Sequence, residues 1–130
     1  MSDLFQSFSI SASAMKAQST RLRHLSENMA NADTPGYRRK LTPFEAQMSG
    51  GRVTGEVRAA PVQLDRSELP QVFDPAHPMA GDDGYYTGSN VDVMVEIADA
   101  REAQRSYEAN LKMFDQARQM TRGLLEILRK

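Results

Sequence analysis

Cysteine and tryptophan are both missing from the 130-residue chain. Without cysteine there can be no disulfide staple, no thiol nucleophile and no thiolate-bound zinc. No apolar run approaches the roughly 18 residues that a bilayer crossing needs. Charge of one sign is not in surplus either. The net charge of −1 gives no basic field to attract a nucleic acid. No basic residue precedes Lys16 and no apolar block follows it, so the expectation is a chain without a cleaved secretory signal. The remainder, 40% hydrophobic and 25% charged, is ordinary composition for one compact domain.

Helix breakers are absent from both ends. All six prolines, and every glycine except Gly123, lie between residues 34 and 89. The chain therefore divides into a head of residues 1–33, a broken middle of 34–89 and a tail of 90–130. Charge divides similarly: residues 1–40 hold six bases and three acids (+3), residues 41–90 three bases and seven acids (−4), and the rest seven of each.

The head predicts a helix over about residues 4–32, roughly 43 Å long at 1.5 Å per residue. Met1, Phe8, Met15, Leu22 and Met29 recur every seven residues, with Leu4, Leu25 and Ala32 at the interleaved position. This is a heptad seam, interrupted by Ser11 and Gln18 and flanked by small residues that permit close helix approach. Thr34-Pro35-Gly36-Tyr37 then predicts a type II turn, proline fixing φ at its second position and glycine taking positive φ at its third.

The tail predicts a helix of roughly 57 Å. Ser89 with Asp92 makes a weak capping box, and Asn90 is an alternative cap. Val93, Ile97, Ala100, Tyr107, Leu111, Phe114, Leu125 and Leu128 supply the expected seam, broken by Gln104, Arg118 and Thr121. Acids crowd the first half and bases the second, which complements the helix dipole. The middle predicts small strands at 40–48, 52–59, 62–64 and 71–73, between turn signals. The expected fold is mainly α: long N- and C-terminal helices forming a coiled-coil-like hairpin (1–33 and 90–130, the assembly domain), with a small irregular or β middle segment.

A second stripe of Met113, Met120 and Ile127, with Ala103, Ala117 and Leu124 beside it, is expected to point away from the Leu111/Phe114 seam. Either the middle segment folds back over it or neighbouring helices cover it. The candidate assembly interface is therefore Phe8, Met15, Leu22, Leu25, Met29, Ile97, Tyr107, Leu111, Met113, Phe114, Met120, Leu124, Leu125 and Leu128.

Catalytic signals are weak. His24, with Glu27 as a local partner, lacks further donors for a metal, and His77 between Pro75 and Pro78 reads as a turn residue. No Gly-x-Ser-x-Gly elbow or phosphate loop occurs, and Asp82-Asp83-Gly84 lacks the alternating ligands of a calcium loop. Arg38-Arg39-Lys40 is a basic patch without an aromatic platform, so it reads as a solvated strand entry, or as the contact of a helical adaptor. No catalytic, cofactor or metal residue is assigned.

The stretch from Ala30 to Arg39, containing Asn31, Thr34, Pro35, Gly36 and Tyr37, resembles the N-terminal signature of the rod and hook axial proteins of the bacterial flagellum. Ser13-Ala14-Met15, Arg21-Leu22 and Glu27-Asn28 resemble the rest of that signature. In the tail, Asn90-Val91-Asp92, Glu96, Arg105-Ser106-Tyr107-Glu108-Ala109-Asn110 and Met120 are similar to its C-terminal counterpart. Asp74-Pro75, His77-Pro78 and Gly84-Tyr85 resemble a segment of one proximal-rod member. The resemblance implies a non-enzymatic subunit without a cofactor, stacked helically with its own copies and other rod proteins. It further implies passage unfolded through the flagellar type III export apparatus and a periplasmic rod that rises from the membrane ring and transmits torque. The terminal helices would line the export channel and the middle segment would lie outside. Neither nucleic acid nor a small-molecule substrate is implied.

Overall fold

A computed structural model describes residues 2–129. The chain forms α1 (Ser2–Ala30), β1 (Lys40–Leu41), β2 (Phe44–Ser49), β3 (Arg52–Ala59), β4 (Gln63–Leu64), β5 (Gln71–Phe73), β6 (Tyr85–Thr87) and α2 (Val93–Arg129). The two breaker-free segments are the two helices, 29 and 37 residues long. Neither is long and apolar enough to cross a membrane.

The helices run antiparallel. Asn28 meets Glu96, Gln18 Nε2 donates to Ser106 Oγ at 3.2 Å, and the Phe8 and Phe114 rings meet edge to face at 5.0 Å. This register brings the start of α1 level with about residue 120 of α2. Every described residue from Arg122 onward is exposed, so α2 overhangs α1 by about 12 Å, or eight residues at 1.5 Å each.

The turn after α1 forms as its residues dictate. Tyr37 N donates to the Thr34 carbonyl at 3.2 Å, and Gly36 takes φ +73°. The helix itself stops at Ala30, two residues short of the expectation. There the Asn31 side chain turns back to donate to the Glu27 carbonyl at 2.8 Å. The cap of α2 also differs from the expected Ser89 or Asn90. Asp92 performs it: its Oδ1 accepts from Met94 N at 3.0 Å, satisfying an orphan amide of the first turn. Ser89 is engaged elsewhere, donating to the Ala32 carbonyl, while Asn90 Oδ1 accepts from Arg39 N at 2.6 Å.

The middle contains three separate two-stranded antiparallel sheets, β1–β4, β2–β3 and β5–β6. The continuous strand expected over 40–48 is split at Thr42-Pro43, because proline has no N–H for a ladder. Lys40 and Leu41 pair with Leu64 and Gln63, whereas Phe44–Ser49 pairs with β3. Gly50 and Gly51, both at positive φ, close the β2–β3 hairpin, as a tight two-residue connection requires. Strand β6 was not expected, because its partner β5 lies across a loop rich in proline, aspartate and glycine.

The α2 seam differs from the expected one. Glu96, Ala103, Asn110 and Ala117, with Ala100, Tyr107, Phe114 and Thr121 interleaved, are among the buried or half-buried positions. Ala103 (0% exposed) and Ala117 (4%), expected on the second stripe, face α1, while Leu111, Leu125 and Leu128 lie exposed. Small side chains let the two helices approach closely at Ala103 and Ala117, whereas Leu125 and Leu128 lie on the overhang beyond the start of α1. On α1, Leu25 is buried, while Phe8, Met15, Leu22 and Met29 are half-buried.

The interior is correspondingly thin. Among the described residues, the buried hydrophobic ones are Ala17, Leu25, Ala103 and Ala117. The chain exposes 9109 Å², whereas a compact 14.5 kDa monomer exposes about 6,900 Å².

Candidate assembly interface

A polar junction sets where the two helices meet the middle segment. Asn28, fully buried, makes four hydrogen bonds. Its Nδ2 donates to the Lys40 carbonyl at 2.9 Å and to Glu96 Oε2 at 3.2 Å, and its Oδ1 accepts from Tyr37 Oη and Lys40 N, each at 2.9 Å. An asparagine amide has about that capacity, so the group is saturated. Glu96, also fully buried, is paired through Oε1 with the Arg39 guanidinium, which reaches on to Asp99 Oδ2 at 3.0 Å and Asp65 Oδ2 at 3.8 Å. Burying a carboxylate is tolerable only with such a partner set.

Asn90 extends the junction outward, donating through Nδ2 to the Asp65 carbonyl at 3.0 Å and to Ser67 Oγ at 3.2 Å. Gly36 N donates to the Thr87 carbonyl at 3.1 Å, joining the turn to β6. The Lys40 ammonium, 2.5 Å from Glu27 Oε2, holds the Glu27 carboxyl below its usual range, and is itself raised by that bond. Burial raises the Tyr37 phenol.

Of the resemblance residues, Asn28, Asn31, Thr34, Pro35, Gly36, Tyr37, Asn90 and Asp92 thus gather at one end of the hairpin. Arg105, Tyr107, Glu108 and Asn110 lie apart from them, down α2. Asn110 Nδ2 bonds back to the Ser106 carbonyl at 2.8 Å, and Arg105 and Glu108 are exposed.

The basic patch is not a free surface. Arg38 Nη1 donates to the carbonyls of Asp65 (3.3 Å) and Ser67 (2.9 Å), and Arg39 and Lys40 are ion-paired within the junction. Arg39, Lys40 and Asp65 were therefore missed as structural residues. Spacing gave no sign of them, because their ion-pair partners are 13 to 60 residues away in sequence. His24 does not pair with Glu27: its Nδ1 lies 2.7 Å from Thr42 Oγ1. His77 Nδ1 accepts from Met79 N at 3.0 Å, a turn role, and its ring stacks on Tyr86. Among the described residues, no group of three acidic or histidine side chains is placed to hold a metal ion.

On α2, apolar side chains lie in the open beside the seam and along the overhang that continues it beyond α1. Met113, Met120, Leu124, Leu125, Ile127 and Leu128 are 40 to 76% exposed, and Phe5 on α1 is 60% exposed. The middle segment does not fold back over them. Tyr107, Phe114 and Ile97 are half-buried.

The fold is thus an antiparallel pair of terminal helices, joined at one polar junction and interrupted by a small β excursion. A family model described as flagella basal body rod protein matches residues 8–38, and one described as flagellar basal body rod FlgEFG protein C-terminal matches residues 82–127. The flagellar basal-body rod protein FlgC of Agrobacterium fabrum is 38% identical to this chain, over 99% of it and 98% of the relative. FlgC of Salmonella typhimurium is 35% identical (90% and 92%), and that of Bacillus subtilis 34% (95% and 97%). The chain belongs to the flagellar basal-body rod protein family and is a FlgC-like structural subunit of the proximal rod.

Proposed function

We propose that this chain is a non-enzymatic building block that packs helically with its own copies and other rod proteins through both terminal helices. In this reading the assembled helices surround the export channel and the middle segment lies outside. The chain reaches its place through the flagellar type III export apparatus, and the rod rises through the periplasm from a membrane ring, carrying torque. The interface comprises the exposed apolar side chains of α2 (Leu111, Met113, Met120, Leu124, Leu125 and Leu128) together with the half-buried Phe8, Met15, Leu22, Met29, Ile97 and Tyr107.

The observation carrying the proposal is the mismatch between surface and core. The exposed area is about a third above that of a compact monomer of this mass, and large apolar side chains of α2 are among the groups exposed. Burying one Leu or Ile side chain contributes about 1.5–3 kcal/mol. Four such residues on the overhang alone therefore supply a driving force that the isolated chain leaves unused. The near-absence of large buried side chains also makes each helix marginal by itself.

Limited proteolysis tests this reading. The isolated chain is expected to be cut first near its ends, and the same sites to be protected in purified basal bodies. Ends that resist cleavage in the monomer as well as the middle does would overturn it.

A further inference from the structure

Among the described residues, one enclosed side-chain polar atom has no hydrogen-bond partner, Gln18 Oε1. The other end of that amide is engaged: Nε2 donates to Ser106 Oγ at 3.2 Å, across the seam between the helices. Gln18 stands midway along α1, on the row Leu4, Ser11, Gln18 and Leu25 that repeats every seven residues. Ser11 and Leu25, one repeat away on either side, are buried. An apolar side chain at position 18 would fill that row with no atom left unbonded. Glutamine therefore weakens the seam at its centre, since an enclosed acceptor without a donor opposes folding by its desolvation cost.

Its use lies in what α1 could do instead. On α2, Met113, Met120, Leu124 and Ile127 are 40 to 70% exposed, and none of the four carries an amide or a hydroxyl. A second copy presents the same surface, and a wholly apolar α1 would have little to distinguish it from its own α2. Gln18 makes the two choices unequal. In its own seam it keeps the Ser106 bond, whereas against those four side chains both ends of the amide are desolvated without a partner. One such lost bond shifts an equilibrium by about 5- to 150-fold.

We propose that Gln18, together with Ser106, selects the partner of α1. The pair holds α1 on α2 of its own chain and rejects the apolar surface of a second copy, so that the unassembled chain stays monomeric. This rests on the subunit reading above, which reserves that surface for ordered assembly. Gln18 is a positioning residue that gives up stability for choice, as a single polar residue does in an apolar helical seam. Asn28, ten residues further along α1, plays a different part, because its hydrogen bonds are complete and strengthen the hairpin.

The test uses the full chain, with thermal melting and sedimentation velocity at matched concentrations. Gln18→Met, close in volume and without the amide, is expected to melt higher than the wild type. It is also expected to self-associate at least about fivefold more strongly, the lower end for one lost bond, whereas the wild type sediments as a monomer. Gln18→Asn keeps an amide and is expected to remain monomeric. Adding Met120→Gln and Leu124→Gln to Gln18→Met is expected to return that chain to monomer. A Gln18→Met chain that melts lower than the wild type, or associates no more than it does, would overturn the selection and leave the subunit reading in place. Association that survives Met120→Gln with Leu124→Gln would place the contact on another surface and overturn it equally. Absence of the wild-type chain from purified basal bodies would overturn both.

Discussion

Asn28 and Glu96 meet 3.2 Å apart, 68 positions apart in sequence, and solvent reaches neither. The contact fixes the register of the hairpin, since apolar side chains on smooth helices would tolerate sliding that these two groups do not. Asn28→Ala leaves the Lys40 amide and carbonyl, the Tyr37 hydroxyl and one Glu96 oxygen short of a partner. Each orphaned buried group costs about 1–3 kcal/mol, so the substitution is expected to destabilise the isolated chain by about 3 kcal/mol or more. Tyr37→Phe removes a single bond and is expected to cost about 1 kcal/mol. Urea denaturation followed by circular dichroism measures both, and equal effects would show that the network does not converge on Asn28.

Arg39 is the counter-charge on which the buried Glu96 depends. Arg39→Met strands a carboxylate in the junction, and breaking a buried pair from one side costs about 3–5 kcal/mol. The double variant with Glu96→Met removes both charges and is expected to recover most of that loss. A double variant no more stable than Arg39→Met would mean that the pair is not the buried element that matters.

Stability is expected to fall with acid in two steps. Burial, helped by Arg23 and Lys40 and opposed by Glu27, lowers the His24 pKa below 6.5. A group that binds its proton less readily when folded favours the folded state above its unfolded pKa, and that contribution fades as pH falls below 6.5. The second step comes from carboxyls. The Lys40 bond to Glu27, and the Ser67 amide and hydroxyl bonds to Asp65, hold both below their ordinary values of 4.5 and 3.8. Their contribution is present above those values and is lost as pH falls through the lowered ones. In melting temperatures taken from pH 8 to 3, His24→Gln is expected to flatten the upper step and leave the lower. An unchanged upper step would exclude His24 as its source.

The fold was legible to the extent that it depends on local rules. Proline and glycine placement marked both helices to within three residues at their inner ends, and Pro35-Gly36 marked the turn. The inner face of α2 was legible only in part: Ala100, Tyr107 and Phe114 lie where counting apolar residues puts them, whereas Leu111, Leu125 and Leu128 do not. Close packing selects Ala103 and Ala117 instead, and tolerates Glu96 only because Arg39 arrives from 57 residues away. Long-range polar pairing has no period for a sequence to display. The same holds for β6, whose partner is set by a loop closure, and for Asp92, chosen as cap because Ser89 and Asn90 are held by the opposite side of the junction.

The cap assignment can be checked separately. Asp92→Ala is expected to cost about 1 kcal/mol through the loss of the bond to Met94 N, and to speed amide exchange in the first turn of α2. Ser89→Ala leaves the Asp92 bond intact and acts on the links of Ser89 to the Ala32 carbonyl and Val91 N. Faster exchange at Met94 in Ser89→Ala than in Asp92→Ala would reverse the assignment.

Leu111 and Phe114 are three residues apart on α2, yet they are expected to fail in different ways. Phe114 packs its ring against Phe8, within the chain. Phe114→Ala is therefore expected to destabilise the monomer by roughly 3 kcal/mol, near the low end for truncating an aromatic, because the ring is only half-buried. Leu111 is 41% exposed and outside the seam. Leu111→Ala is expected to leave monomer stability within about 0.5 kcal/mol, as surface substitutions usually do. If its side chain is buried by a neighbour, the same change removes contacts only in the assembly, so swimming falls while the melting temperature of the isolated chain does not. Measuring both quantities for both variants separates internal packing from contact between subunits. A Leu111→Ala strain that swims normally would take this residue off the interface.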